Sequence, residues 1–326
     1  MSIKKFDRGM AKTQAVMGSV VSLEIPEREL AAGEVHVWSL PLDISQGSLA
    51  SVAEFLSPDE RTRADRFRFE VPRNRFVVGR GLLRVILGRY CDVPPERLRF
   101  NYGPNGKPEL TPGEGARRKG GALHFNLAHS EGLGVLAVTQ TGPVGVDVEQ
   151  VRRLTEFKQL VSQFFSAWEA AEFLRLKREQ QPAAFFNLWT RKEALLKATG
   201  EGIGHSLNRV EVSFLPGEPA RVLSLPNEPW AGCEWSLVDL ALSPSYAGAL
   251  AIPVREVLVS HFQIPCKVNE LKRLKARVRQ LESALADANI DAALERAYTR
   301  LACKRAGIAD VEEFKKKAAG QPGMKP

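Results

Sequence analysis

The chain has 326 residues, 44% of them hydrophobic and 26% charged, enough for one large or two small domains with cores of their own, and no apolar run is long enough to span a bilayer. A net charge of +8 invites a nucleic-acid reading, but 15 basic and 9 acidic side chains lie from Arg255 to Pro326, which leaves a nearly balanced 31 and 29 in the rest. The four cysteines, Cys91, Cys233, Cys266 and Cys303, form neither a CxxC pair nor a zinc pattern, which fits a reduced, cytoplasmic protein.

Residues 1–34 read as a flexible leader: the apolar run from Val16 to Leu23 is too short and broken for a secretory signal. The body begins near Val35, where VHVWSLPLD (Val35 to Asp43) alternates and then meets turn residues, as a first strand does. Ser57-Pro58-Asp59-Glu60 places Pro and acids at the start of an arginine-rich helix. A second helix is predicted over Arg73 to Tyr90, with Phe76, Leu83 and Ile86/Leu87 on its apolar face and Arg75, Arg80 and Arg84 off that face. After a glycine- and proline-rich connection from Gly103 to Gly121 come three short strands, HFNL, GVLAVT and VGVDVE, with Thr141-Gly142-Pro143 as the turn between the last two. Ser166 is a predicted N-cap, and Pro182 opens a helix that stops at Gly200. Alternating segments at Val210 to Phe214, Ala220 to Leu225, Trp235 to Leu240 and Tyr246 to Ile252 close the body near Pro253. Strands that sit mostly in hairpins among helices favour an α+β fold over a doubly wound sheet.

Four clusters carry chemistry. On a strand, Asp147 and Glu149 of GVDVE share a face opposite Val144, Val146 and Val148, with Cα atoms roughly 6–7 Å apart. Such a pair repels unless a cation lies between, and a hard divalent ion with oxygen ligands supplies one; a solvated hairpin face is the plainer alternative. On the helix FFNLWTRKEALLK, Glu193 and Lys197 are four apart on one face, either as a surface ion pair or as a carboxylate ligand or base beside a lysine that meets a charged leaving group. In HFNLAHS a strand ends in a polar loop with His129 and Ser130, directly before the Asp147 hairpin; their adjacency alone does not make a nucleophilic triad. Asn105-Gly106-Lys107-Pro108 is a turn and not a phosphate-binding Walker loop, because Pro108 replaces the required Ser or Thr. Gly200-Glu201-Gly202-Ile203-Gly204 follows a helix, so it reads as a helix stop and not as a dinucleotide fingerprint.

Taken in order, NGKP, FNLAHS, GVDVE and WTRKEALLKATGEGI resemble the 4′-phosphopantetheinyl transferase superfamily, in its larger, Sfp-type branch, over Val35 to Pro253. The resemblance implies two similar α+β subdomains related by a pseudo-twofold (4′-phosphopantetheinyl transferase fold), over residues 35–141 and 142–254, with coenzyme A in the cleft between them. It implies Mg²⁺, with Mn²⁺ as an alternative, held by Asp147, Glu149 and Glu193 against the diphosphate of coenzyme A. Glu193 corresponds to the base that deprotonates the carrier serine, and Lys197 to the group that stabilises departing 3′,5′-ADP. Lys192, Lys107 and His129 are similar to residues that contact coenzyme A phosphates, and Arg63 and Arg75 to basic residues at its nucleotide end. The implied partner is an apo acyl or peptidyl carrier protein of fatty-acid, polyketide or nonribosomal peptide synthesis. Two departures stand out: Ala128 replaces the first serine of the family's Ser-His-Ser, and Glu60 stands where some relatives have lysine.

Residues 255–326 lie outside that pattern. Leu271, Leu274, Val278, Leu281, Leu285 and Ala288 form a short heptad seam between basic and acidic residues. This basic helical tail resembles the leucine-repeat region of insertion-sequence transposases. It reads either as a self-associating coiled coil or as a functionless basic helix. The competing reading of the whole chain is an oligomerising or nucleic-acid-associated protein with a secondary or inactive transferase body. A Mg²⁺-dependent nuclease also uses clustered carboxylates, but the balanced body offers no dominant basic face for a polyanion.

Overall fold

The computed structural model describes residues 30–111, 121–152, 157–201, 207–226 and 229–264. The predicted leader up to residue 29, the glycine-rich loop at 202–204 and the heptad seam with its transposase-like tail lie outside the described residues.

The first half runs β1 (Glu34–Pro41), α1 (Gln46–Ala53), α2 (Pro58–Asp65), α3 (Glu70–Cys91), β2 (Phe100–Tyr102), β3 (Pro108–Leu110), β4 (His124–Ser130) and β5 (Leu133–Thr139). The second repeats that order: β6 (Gly145–Gln150), α4 (Phe157–Phe164), α5 (Ala167–Arg175), α6 (Gln181–Thr199), β7 (Glu211–Val212), β8 (Val222–Ser224), β9 (Ser236–Asp239) and β10 (Tyr246–Ile252). The pairing repeats as well. β5 lies antiparallel between β1 and β4, as β10 does between β6 and β9. Two small ribbons, β2–β3 and β7–β8, complete the halves. The fold is α+β with two similar subdomains.

Residue periodicity explains how the halves join. Val35 and Val37 of β1, Val135 and Ala137 of β5, Val146 and Val148 of β6, and Leu250 and Ile252 of β10 are buried in one shared cluster between the sheets. The alternate residues face outward to the helices: Trp38, Leu40, Leu136 and Val138 pack with α3, while Ala247, Ala249 and Ala251 pack with α6. The central strands β5 and β10 are therefore buried on both faces, which is why they read as nearly continuous apolar runs.

Two sequence expectations are corrected. Arg80 and Arg84 do not lie on an open helix face. They are buried against Glu60 of α2, with Arg80 Nε 2.7 Å from Oε1 and Arg84 Nε 2.5 Å from Oε2. Glu60 is thus a buried structural carboxylate. The body also does not end near Pro253. Leu258–Gln263 forms β11, which pairs in parallel with β1, so these residues belong to the first half's sheet and not to a helical tail.

Candidate active site

β6 and α6 bring the acidic residues together for local reasons. Alternation on β6 turns Val146 and Val148 into the inter-sheet core and Asp147 and Glu149 toward α6. Pro182 near the start of α6 and Gly200 just past its end, in the left-handed region at φ 80°, fix the helix bounds. Gly145 permits the close crossing: a Cβ there would lie 1.9 Å from the Ala194 carbonyl oxygen and 2.4 Å from the Ala198 nitrogen.

Asp147, Glu149 and Glu193 are 3%, 7% and 0% exposed, so the solvated-face alternative does not hold for them. Lys197 Nζ donates to Asp147 Oδ1 at 2.5 Å and lies 3.5 Å from Glu193 Oε2. Ser130 Oγ donates to Glu149 Oε2 at 2.7 Å and accepts from the Gln150 amide at 3.1 Å, so β4 orients a carboxylate on β6. Asn126, also on β4, accepts from the Val146 amide at 2.8 Å. Asp147 Oδ2 is buried and accepts no hydrogen bond. Burial pushes the Asp147 carboxyl up to about 8; Lys197 opposes that shift, and the Glu193 and Glu149 carboxylates add to it. Asp147 and Glu193 share the Lys197 ammonium, while Glu149 is held by Ser130. A donor set made only of oxygens suits a hard divalent cation. As the side chains stand, no three His, Cys, Asp or Glu among the described residues enclose a metal site; the Lys197 ammonium lies against Asp147 and Glu193.

A family profile described as 4′-phosphopantetheinyl transferase superfamily matches residues 143–251, and one described as 4′-phosphopantetheinyl transferase, N-terminal, matches residues 43–141. The chain is 40% identical over 227 residues to the 4′-phosphopantetheinyl transferase HetI of Nostoc sp., a match covering 70% of this chain and 91% of that protein. The chain belongs to the 4′-phosphopantetheinyl transferase superfamily. It is also 32% identical over 236 residues to the 4′-phosphopantetheinyl transferase psf-1 of Bacillus pumilus, covering 72% and 95% of the two chains. To the 4′-phosphopantetheinyl transferase Sfp of Bacillus subtilis it is 27% identical over 169 residues, covering 52% and 71%. Both profiles stop short of β11.

The remaining residues singled out from the sequence of this transferase are dispersed. Lys107, at the β2–β3 turn, sends Nζ into the second half, where it donates to the carbonyls of Val144 (3.0 Å) and Lys197 (2.7 Å). Burial lowers its pKa to about 8, with the Lys197 charge adding to that and Glu109 opposing it. Asn105 on the same turn donates to the Gly200 carbonyl at 2.8 Å. His129 is exposed beside Ser130 on β4. Arg75 grips Asp43 (2.8 and 3.1 Å) and Glu131 (2.8 Å), the residue after Ser130. Arg63 lies on α2 in an open surface cavity of about 670 Å³ with Asp59, Thr62, Arg66 and Phe67. Lys192 is not brought to the acidic group at all. It is 0% exposed, ion-paired with Glu169 of α5, and donates to the Leu207 carbonyl at 2.7 Å. Ala128, where the family has serine, is buried in the inter-sheet core, which suits a methyl group better than a hydroxyl. Ser130 is singled out from the sequence, but its hold on Glu149 is not, nor are Glu169 and the pair Arg191–Asp239; the capping pattern Ser166-x-x-Glu169 is the one legible signal among these last.

Proposed function

We propose that the protein transfers the 4′-phosphopantetheine group of coenzyme A to a serine of an acyl or peptidyl carrier protein and releases 3′,5′-ADP. The observation that carries this reading is the buried cluster of Asp147, Glu149 and Glu193, with the unbonded Oδ2 of Asp147 at its heart, in a chain of this family. These three carboxylates would hold Mg²⁺, or Mn²⁺ in its place. When bound, the ion neutralises charge on the diphosphate of coenzyme A. Glu193 takes the proton from the carrier serine hydroxyl. A serine oxygen–phosphorus bond forms, and the bond from that phosphorus to the 3′,5′-ADP oxygen breaks. Lys197, already on Asp147, turns its ammonium to the departing phosphate. Ser130 keeps Glu149 aimed while the charges around it change. His129, Arg75 and Arg63 extend basic or polar groups toward the nucleotide end of coenzyme A. Lys107, tied to two carbonyls, enters this reading as a bridge between the halves. Among the described residues no helix is long and apolar enough to cross a membrane; a cytoplasmic enzyme that meets fatty-acid, polyketide or nonribosomal peptide carriers fits this reading.

The test is intact-mass analysis of apo carrier proteins incubated with the full chain, coenzyme A and Mg²⁺. The expected result is one added phosphopantetheine, lost with chelator and reduced at least about 10²-fold in Glu193→Gln, as removal of a general base implies. Unchanged transfer by Glu193→Gln, or full activity in chelator, overturns the assignment of roles.

A further inference from the structure

Arg191, Lys192 and Glu193 are consecutive on α6 and all at most 1% exposed. Successive helix residues turn by about 100°, so the three side chains leave the axis in three different directions. Each meets a different element. Arg191 clamps Asp239 of β9 through two bonds, 2.8 and 2.6 Å, and donates to the Ser213 carbonyl at 2.5 Å. Lys192 pairs with Glu169 of α5, donates to the Leu207 carbonyl, and lies 5.3 Å from the Phe165 ring centre. Glu193 is left in the acidic group with Lys197 and Asp147.

Glu169 is fully committed. Oε2 accepts from the Ser166 amide at 2.9 Å, Oε1 accepts from the Val212 amide at 3.2 Å, and Ser166 Oγ accepts from the Glu169 amide at 3.2 Å. The first half carries the same device. The Ser57 amide donates to Glu60 Oε2 at 3.0 Å, and the buried Glu60 grips Arg80 and Arg84 of the long helix α3. In both halves, therefore, a capped glutamate on the middle helix seizes a cation on the long helix. Only in the second half is that cation the neighbour of an acid in the candidate active site. Buried ion pairs are poor sources of net stability compared with apolar packing, but they fix geometry because a charge tolerates few positions.

We propose that Lys192, gripped by Glu169, is a positioning residue: the pair sets the roll of α6 and so aims Glu193 at Asp147 and Glu149. The proposal rests on the acidic group being the reacting centre. With side chains about 5–6 Å from the helix axis, a roll of about 10° moves the Glu193 carboxylate by about 1 Å, a displacement that can reduce catalysis about 10²-fold.

The test uses the full chain carrying Lys192→Met with Glu169→Gln, which strands neither charge. Thermal unfolding, Mn²⁺ binding by electron paramagnetic resonance, and kcat and KM for coenzyme A are compared with the wild type. Expected are a cooperative unfolding transition, Mn²⁺ affinity weaker by about 10-fold, kcat lower by about 30–100-fold and KM within about 3-fold. A folded double variant with wild-type kcat and Mn²⁺ affinity overturns the proposal, because the pair then only fills space. A raised KM with kcat retained also overturns it, because Lys192 then binds coenzyme A. If the double variant does not fold, Lys192→Arg keeps the charge in a slot shaped for lysine. Its expected signature is kcat down by about 3–10-fold at unchanged KM, and unchanged kcat refutes the positioning role. A wild-type chain that neither binds Mn²⁺ nor modifies any carrier marks a failure of the functional reading instead.

Discussion

Single buried charges decide much of this molecule, and Glu60 shows how. Burial alone would raise its pKa, but the Arg80 charge, the Arg84 hydrogen bond and charge, and the Ser57 amide together hold it below the ordinary glutamate value. A carboxylate whose folded pKa is depressed contributes stability that is present above its unfolded pKa and lost as pH falls through the folded one. Glu60→Gln leaves two buried guanidinium groups without a counter-charge. It should destabilise the protein by roughly 3–5 kcal/mol at neutral pH, and the gap to wild type should close below about pH 4. Urea unfolding at both pH values checks this, and a gap independent of pH would show that packing, not charge, is at stake. None of this was legible beforehand. An arginine-rich helix looks solvated in sequence because the carboxylate that buries its neighbour's arginines is 20 and 24 positions away. The same limit hid Lys192: on a helix buried all round, periodicity does not tell which charges face a ligand and which face a partner. Asp147 and Glu149 were legible, because strand alternation is local and the valines between them had to go inward.

Elements meet here through small contacts that the sequence shows only as a motif. The β2–β3 turn reaches from the first half onto the end of α6 through Asn105 and Lys107, and Gly145 lets β6 and α6 cross at backbone distance. Alternation and capping residues located β6, α6 and most hairpins, because those signals are short-range. The crossing distance was not legible, since a glycine in GVDVE reads equally well as a strand residue or a turn residue. Gly145→Ala puts a methyl group inside the van der Waals envelope of backbone atoms that cannot swing aside. It should cost at least about 3 kcal/mol, and transfer should fall more than the remaining folded fraction accounts for, since α6 carries Glu193 and β6 carries Asp147. Calorimetry and intact-mass rates on the same sample separate the two effects. Loss of stability with transfer in strict proportion would show that the crossing serves the core alone.

At the scale of the whole chain, the two halves are alike except at one edge. Val35-His36-Val37-Trp38 on β1 and Val146-Asp147-Val148-Glu149 on β6 have the same pattern, with valines inward and the alternate residues toward the long helix. The positions that carry acids in the second half carry His36 and Trp38 in the first. There β11 covers them: Phe262 stacks on Trp38 with ring centres 4.7 Å apart and meets His36 at 4.9 Å, and Ser260 donates to Glu34 at 2.8 Å. His36 and Trp38 in turn hydrogen-bond the Tyr90 hydroxyl at 2.6 and 3.1 Å. β11 thus closes the first half, and it lies beyond the segment that the family pattern marks in sequence, where the basic composition pointed to a tail. Ending the chain after Ile264 should leave unfolding and transfer within about 2-fold of the full chain, because every described strand remains. Ending it at Pro253 exposes the apolar edge of β1, removes the buried Ile264 and unstacks Phe262. Those losses should destabilise by roughly 4 kcal/mol or more and promote association through the open edge. Unfolding curves and light scattering of the two truncations decide the point. Equal stability of both would mean that β11 is an ornament on the transferase body, whereas loss of folding in the shorter chain alone makes it the strand that completes the first half.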